Sequence, residues 1–314
     1  MAKTRYAALL VIAVLSALAG CRGGRRVAHV ERDELGRDVA FSTWPARRVV
    51  SLATSNTEIL FAIGAGATVV GADVYANWPA AVAAVPRVGT QQEPSVEAVL
   101  GLRPDVVVSA VSANRQSTVE ALERLGLPVF VTRTDDLAGL GRTIVDLGTL
   151  VGQRTAADAL VHTIQAGLAQ VQEQVQEQVQ EQVREQAQQR PRVRALVLVW
   201  SDPLYVVGRQ TYTADLLALA GGDNVAADAE PGYPRYSLER VLRQAPEVMV
   251  MGTHTDERTG DPWHEWRRFP TLPAVRDGRL ITVDGDLIFR PGPRAVEAAQ
   301  TLARALHPRV RILP

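Results

Sequence analysis

The chain has 314 residues, and its 34 Lys and Arg balance 34 Asp and Glu, for a formal net charge of zero. That balance argues against a nucleic-acid binder or a binder of anionic surfaces. A single cysteine excludes an internal disulfide, and the length leaves room for two domains of ordinary size.

Residues 1–20 read as a signal peptide. Lys3 and Arg5 give a basic start, and the thirteen residues Ala7 to Ala19 are an apolar run too short to span a bilayer as a mature helix. The run ends Leu18-Ala19-Gly20-Cys21, small residues before a cysteine, which is the bacterial lipobox pattern. Cys21 then becomes a lipidated N-terminus that anchors the domain to a membrane surface without spanning it. Residues 21–26 are a short polar tether. Loss of Lys3 and Arg5 takes the net charge from zero to −2.

Residues 27–150 predict an N-terminal α/β lobe. Val27 to Phe41 suggests a hairpin around Asp33-Glu34-Leu35-Gly36, and Val49 to Leu52 a compact strand. Ser55-Asn56-Thr57-Glu58 has the letters of a capping box, which assigns Glu58 to the helix start. Val69 to Val74 is the next strand. Ser95 opens a helix followed by the strand Asp105 to Ser109. Ser117 to Leu125 is helical, with a second capping box ending at Glu120, and Val129 to Thr132 is strand. Strands alternating with helices call for a mostly parallel sheet covered on both faces.

Residues 151–190 predict a long linking helix, broken only by Gly152 and Gly167 and free of proline until Pro191. It contains QVQEQVQEQVQEQVREQ, with Val171, Val175, Val179 and Val183 spaced by four. That spacing drifts by about 40° per step and gives a slanting stripe. The stripe is either a low-complexity helix extension or a contact for a partner helix.

Residues 191–314 predict a C-terminal α/β lobe. Ala195 to Trp200 is a strand with Trp200 as core, Val206-Val207-Gly208 part of a hairpin, and Thr213 to Ala220 a helix stopped by Gly221-Gly222. Ser237 to Val250 (SLERVLRQAPEVMV) then repeats Ser95 to Val108 (SVEAVLGLRPDVVV) 142 residues later, with seven of fourteen positions identical. Such a repeat implies two similar lobes rather than a solenoid. Each copy keeps a glutamate beside its helix cap, Glu97 and Glu239, and a matched pair suits a two-sided docking partner. Leu280 to Val283 is a strand, Asp286 to Pro293 a loop, and Ala295 to Leu306 an amphipathic helix.

Catalytic patterns are missing. There is no G-x-S-x-G elbow and no P-loop, and Gly64-Ala65-Gly66 follows a helix instead of a strand. His264-Glu265-Trp266 lacks the second histidine of a zincin. The five histidines, His29, His162, His254, His264 and His307, are scattered, although His254 and His264 share one stretch and could meet a metal or a haem iron. The residues therefore favour binding over catalysis, with no catalytic residue, resident metal or cofactor assigned.

The order lipobox, RRVVSLATSNTEILFAIGAG, SVEAVLGLRPDVVV, long helix, GGDNVA, SLERVLRQAPEVMV and DGDLIFRPGPR resembles the helical-backbone substrate-binding proteins of bacterial ABC importers. The resemblance covers roughly Val27 to Pro308, and the VQEQ expansion is the main departure. It implies two Rossmann-like α/β lobes joined by a single long backbone helix, with the ligand cleft between them. It implies a monomer that serves a permease dimer with its ATPase subunits, docked through Glu97 and Glu239. The likeness is strongest to the cobalamin-binding branch, so the ligand is a corrinoid; the alternative is a ferric siderophore or haem. Tyr75, Gln91 and Gln92 are placed on one cleft wall and Tyr205, Tyr233, Asp286 and Arg290 on the other. Gln91 and Tyr233 stand where that branch carries tryptophan, and Leu287 replaces an aromatic. For haem, an axial ligand would come from Tyr75, Tyr205, Tyr233 or His254.

Overall fold

A computed structural model describes residues 27–186, 192–253 and 261–308, with side chains from 178 to 186 outside the description. Cys21 and the signal segment, the side chains of Val179 and Val183, and His254 fall outside the described residues. No helix among the described residues is long and apolar enough to cross a membrane.

The N-terminal lobe opens with an antiparallel hairpin, β1 (His29–Arg32) and β2 (Asp38–Phe41). Its turn is held by Asp33, whose buried carboxylate accepts from the Leu35 and Arg37 N–H groups and pairs with the Arg37 guanidinium at 2.7 Å. There follow β3 (Val49–Ser51), α1 (Thr54–Ala62), β4 (Val69–Ala72), α2 (Val96–Gly101), β5 (Val106–Ala110), α3 (Gln116–Arg124) and β6 (Val129–Thr132). The sheet order is β4-β3-β5-β6, and every pairing is parallel. Strands β3, β5 and β6 are buried at every residue, as a parallel sheet covered on both faces requires.

Both expected capping boxes fail. Helix α1 starts at Thr54 after Ala53, with no side-chain cap, and α3 starts at Gln116, also uncapped by a side chain. Thr54, Asn56, Thr57 and Glu58 are all buried, so the Glu58 side chain does not fold back over the helix start. Glu58 turns inward to arginines of the other lobe instead.

Helix α4 (Leu137–Leu150) is capped by Asp136, and a turn with Gly152 at φ 72° separates it from α5 (Arg154–Gln186). Helix α5 has 33 residues and is about 50 Å long. Its buried positions Ala157, Ile164, Leu168, Val171 and Val175 form a 3–4 spaced stripe. The first two valines of the expansion are therefore core residues. Two glycines let the long helix lie close to both lobes. A Cβ on Gly148 of α4 would collide with the Ala157 Cβ, and one on Gly167 would come within 2.7 Å of Val296.

The C-terminal lobe contains β7 (Val193–Ser201), β8 (Leu204–Val206), α6 (Tyr212–Leu219), β9 (Gly222–Asn224), α7 (Leu238–Gln244), β10 (Val248–Thr253), α8 (Pro273–Arg276), β11 (Leu280–Asp284), α9 (Gly285–Ile288) and α10 (Ala295–Leu306). The order is β11-β10-β7-β8, with β9 also on β7; only β8 runs antiparallel. The segment expected as a loop from Asp286 begins as α9, capped by Asp284. Trp200 is not core: it lies near the exit of β7 and is 46% exposed.

The repeated segments coincide in detail. Ser95 and Ser237 cap α2 and α7 by accepting from Ala98 and Arg240 N–H groups, and Val99 and Val241 are fully buried. Arg103 and Ala245, the matched residues before each proline, are both left-handed, at φ 46° and 47°. A single long helix joins these two α/β lobes, and a cleft lies between them.

Candidate functional site

The two lobes face each other at the C-terminal ends of their strands, the usual ligand position in open α/β sheets. On the N-terminal side, Asp73 leaves β4 fully buried and accepts from the Thr54 hydroxyl at 3.0 Å and from the Tyr75 N–H at 3.0 Å. Burial pushes its carboxyl above the usual range, against these hydrogen bonds. Gln91 donates to the Thr54 hydroxyl oxygen at 2.7 Å, and Asn114 donates to the Gln91 carbonyl at 2.7 Å, so the loop is tied down at both side chain and backbone. Gly89, at φ 102°, makes this turn where a side chain would press on the Glu93 carbonyl.

On the other side, α9 and the segment before α10 supply Asp286, Arg290 and Arg294. Arg290 pairs with Asp286 at 2.7 Å, then crosses to donate to Asn77 Oδ1 at 2.7 Å and to the Tyr75 carbonyl at 3.4 Å. Asn77 closes the ring by donating to Asp286 Oδ2 at 2.8 Å. Beside it, Arg294 grips Glu58 with two bonds at 3.0 and 2.8 Å, and Arg290 lies 3.5 Å from the same carboxylate. Burial pushes the Glu58 carboxyl up, and the two arginines oppose that shift. The lobes are thus bridged by a partly buried polar ring, with the bidentate Arg294–Glu58 pair beside it.

Tyr75 and Tyr233 border this polar floor and are 49% and 40% exposed, and Tyr205 on β8 is 37% exposed. The Tyr233 ring meets Phe289 edge-on at 6.4 Å. Of the expected site residues, Tyr75, Asp286 and Arg290 come together directly, Gln91 anchors the loop beside them, and Gln92 is exposed. Glu58, Asn77, Asp73, Phe289 and Arg294 were missed. One signal for Glu58 was available: it sits among apolar residues on a helix where a surface carboxylate has no place.

Glu97 and Glu239 are exposed on α2 and α7, and neither forms an ion pair among the described residues. Leu100 and Leu242, one turn further on, are each 37% exposed. No group of three His, Cys, Asp or Glu that could hold a metal ion occurs among the described residues.

A family model for periplasmic binding proteins matches residues 49–287. The vitamin B12-binding protein of Vibrio campbellii is 26% identical over 83% of this chain and 90% of its own length. An uncharacterized ABC transporter substrate-binding lipoprotein of Bacillus subtilis, YvrC, is 27% identical over 96% of both chains. Among solved structures, the periplasmic heme-binding protein RhuT of Roseiflexus sp. RS-1 superposes with a TM-score of 0.72 at 26% identity, covering 85% of this chain and 100% of that one.

Proposed function

The chain belongs to the periplasmic binding protein family, and we propose that it is a lipid-anchored substrate-binding protein that carries a corrinoid to an ABC importer. Its relatives bind solutes and are not enzymes. The observation that carries the reading is the cleft itself. A polar ring of Asn77, Asp286 and Arg290 lies among exposed tyrosines. Aromatic walls bury a large flat ring at low entropy cost, and the ring's amide substituents need both donors and acceptors, which Asn77, Asp286 and Arg290 supply. A bound amide would take over the hydrogen bonds that Arg290 now gives to Asn77 and the Tyr75 carbonyl. Export and the anchor rest on the signal segment and Cys21, and docking rests on Glu97 and Glu239, one on each lobe, meeting permease arginines.

Haem is the second reading, favoured by the exposed tyrosines Tyr75 and Tyr205, which could ligate iron, whereas the Tyr233 hydroxyl is desolvated and bonded to Thr213. The test is calorimetric titration of the protein with cyanocobalamin, haemin and a ferric siderophore. Tight binding of cyanocobalamin alone is expected. Haemin binding with a Soret band lost in one tyrosine variant would replace the corrinoid reading, and siderophore binding alone would move the cargo to chelated iron.

A further inference from the structure

Trp200 and Arg235 flank Tyr205 in a row whose two outer members the site described above does not use. Trp200 of β7 is paired with Tyr205 of β8, and Tyr205 is bridged antiparallel to Arg235. The second pair is flanked by Val206 N–H to Pro234 carbonyl at 3.2 Å and Tyr236 N–H to Leu204 carbonyl at 3.0 Å. It is therefore the narrow, non-hydrogen-bonded kind, in which opposed side chains stand closest and share one face. All three are exposed, Trp200 by 46% and Tyr205 by 37%. The Trp200 indole N–H donates to the Asp202 carbonyl at 2.8 Å, which fixes the ring while leaving its face open. Arg235 has no acidic or carbonyl partner for its guanidinium among the described residues.

Trp200 lies near the C-terminal end of β7, the end of the sheet that faces the other lobe. Tyr233 lies two residues before Arg235 in the chain. Its ring packs on Phe289, the chain neighbour of Arg290, which bonds Asn77 across the cleft. The row thus continues the tyrosine wall outward to the cleft mouth.

We propose that Trp200, Tyr205 and Arg235 are a subsite for the edge of a flat macrocycle and the anionic group it carries. The aromatics lie against the ring and the guanidinium takes a phosphodiester or a carboxylate. This deepens the ring-ligand reading above and rests on it. An anion can come from a corrinoid's nucleotide phosphodiester or from a haem propionate, so the test uses both.

Cyanocobalamin, dicyanocobinamide (the same corrin ring without the phosphodiester) and haemin are titrated into the wild-type protein, Trp200→Ala and Arg235→Gln. Both positions are exposed, and unchanged melting temperatures check that both variants fold. Trp200→Ala is expected to weaken whichever ring binds by about tenfold. Arg235→Gln is expected to weaken cyanocobalamin by about tenfold and cobinamide little, if the anion is the phosphodiester; haemin falls instead if it is a propionate. Wild-type affinity in both variants overturns the subsite and leaves the ring reading standing. A wild-type protein that binds none of the three overturns that reading and the subsite with it.

Discussion

Glu34 joins the hairpin to the N-terminal lobe: its carboxylate accepts from the Arg133 N–H at 2.6 Å and from the Thr143 hydroxyl at 2.7 Å. Burial, the largest influence, pushes its carboxyl up to about 7. The folded chain therefore holds the Glu34 proton more tightly than the unfolded chain. Between the unfolded value near 4.5 and about 7, the native state binds more protons, so this group lowers stability as pH rises and restores it as pH falls. Glu34→Gln removes that titration. The melting temperature of the wild type relative to this variant is expected to be higher at pH 5 than at pH 8, read by thermal denaturation in matched buffers. A difference that stays constant, or grows toward pH 8, would remove the assignment. Glu58 is buried for a different purpose. It too is pushed up by burial, which two arginines from the opposite lobe oppose, and its pairing with them joins the lobes.

At the scale of elements, the long helix depends on residues that are small. Gly148 and Ala157 touch where α4 and α5 cross, and the Ala157 Cβ has no side-chain torsion by which to retreat. Gly148→Val is expected to cost about 2 kcal/mol through overpacking and backbone shift. Gly141→Ala on the same helix meets only Val161, at an ordinary 3.7 Å, and is expected to be neutral or to gain up to about 1 kcal/mol from helix propensity. Chemical denaturation of both variants checks the contrast; equal effects would mean that the crossing is not close-packed. Helix α5 was legible in sequence because a proline-free run with a 3–4 apolar spacing has few other solutions. Strands β5 and β6 and helix α10 were legible from apolar runs and turn residues. The caps at Ser55 and Ser117 were misread because the letters S/T-x-x-E are satisfied by residues already inside a helix. Trp200 was misread because an apolar strand pattern does not say where the strand leaves the sheet. The Glu58–Arg294 pair spans 236 positions, and no local pattern carries such a contact.

Across the whole molecule, α2 and α7 present matched surfaces, one on each lobe. One helix joins the lobes that carry α2 and α7, and ion pairs of Glu58 with Arg290 and Arg294 bridge them. On each, a serine cap, a buried valine, an exposed glutamate and an exposed leucine recur at the same repeat positions. Two like points, one on each lobe, fit a partner that is itself two-fold, as a permease dimer is. A glutamate at a helix start also favours its own helix dipole, so the repeat alone would allow a purely structural role. Charge reversal separates the two. Glu97→Arg with Glu239→Arg is expected to leave ligand affinity unchanged, since neither residue touches the Asn77, Asp286 and Arg290 ring. It should cut ligand-stimulated ATP hydrolysis by the reconstituted importer by tenfold or more, at the roughly 2 kcal/mol or more typical of a lost interfacial charge pair. Each single variant should fall between. Unchanged stimulation would leave the glutamates as helix-start residues only, and a fall in ligand affinity would place these helices on the ligand side of the molecule.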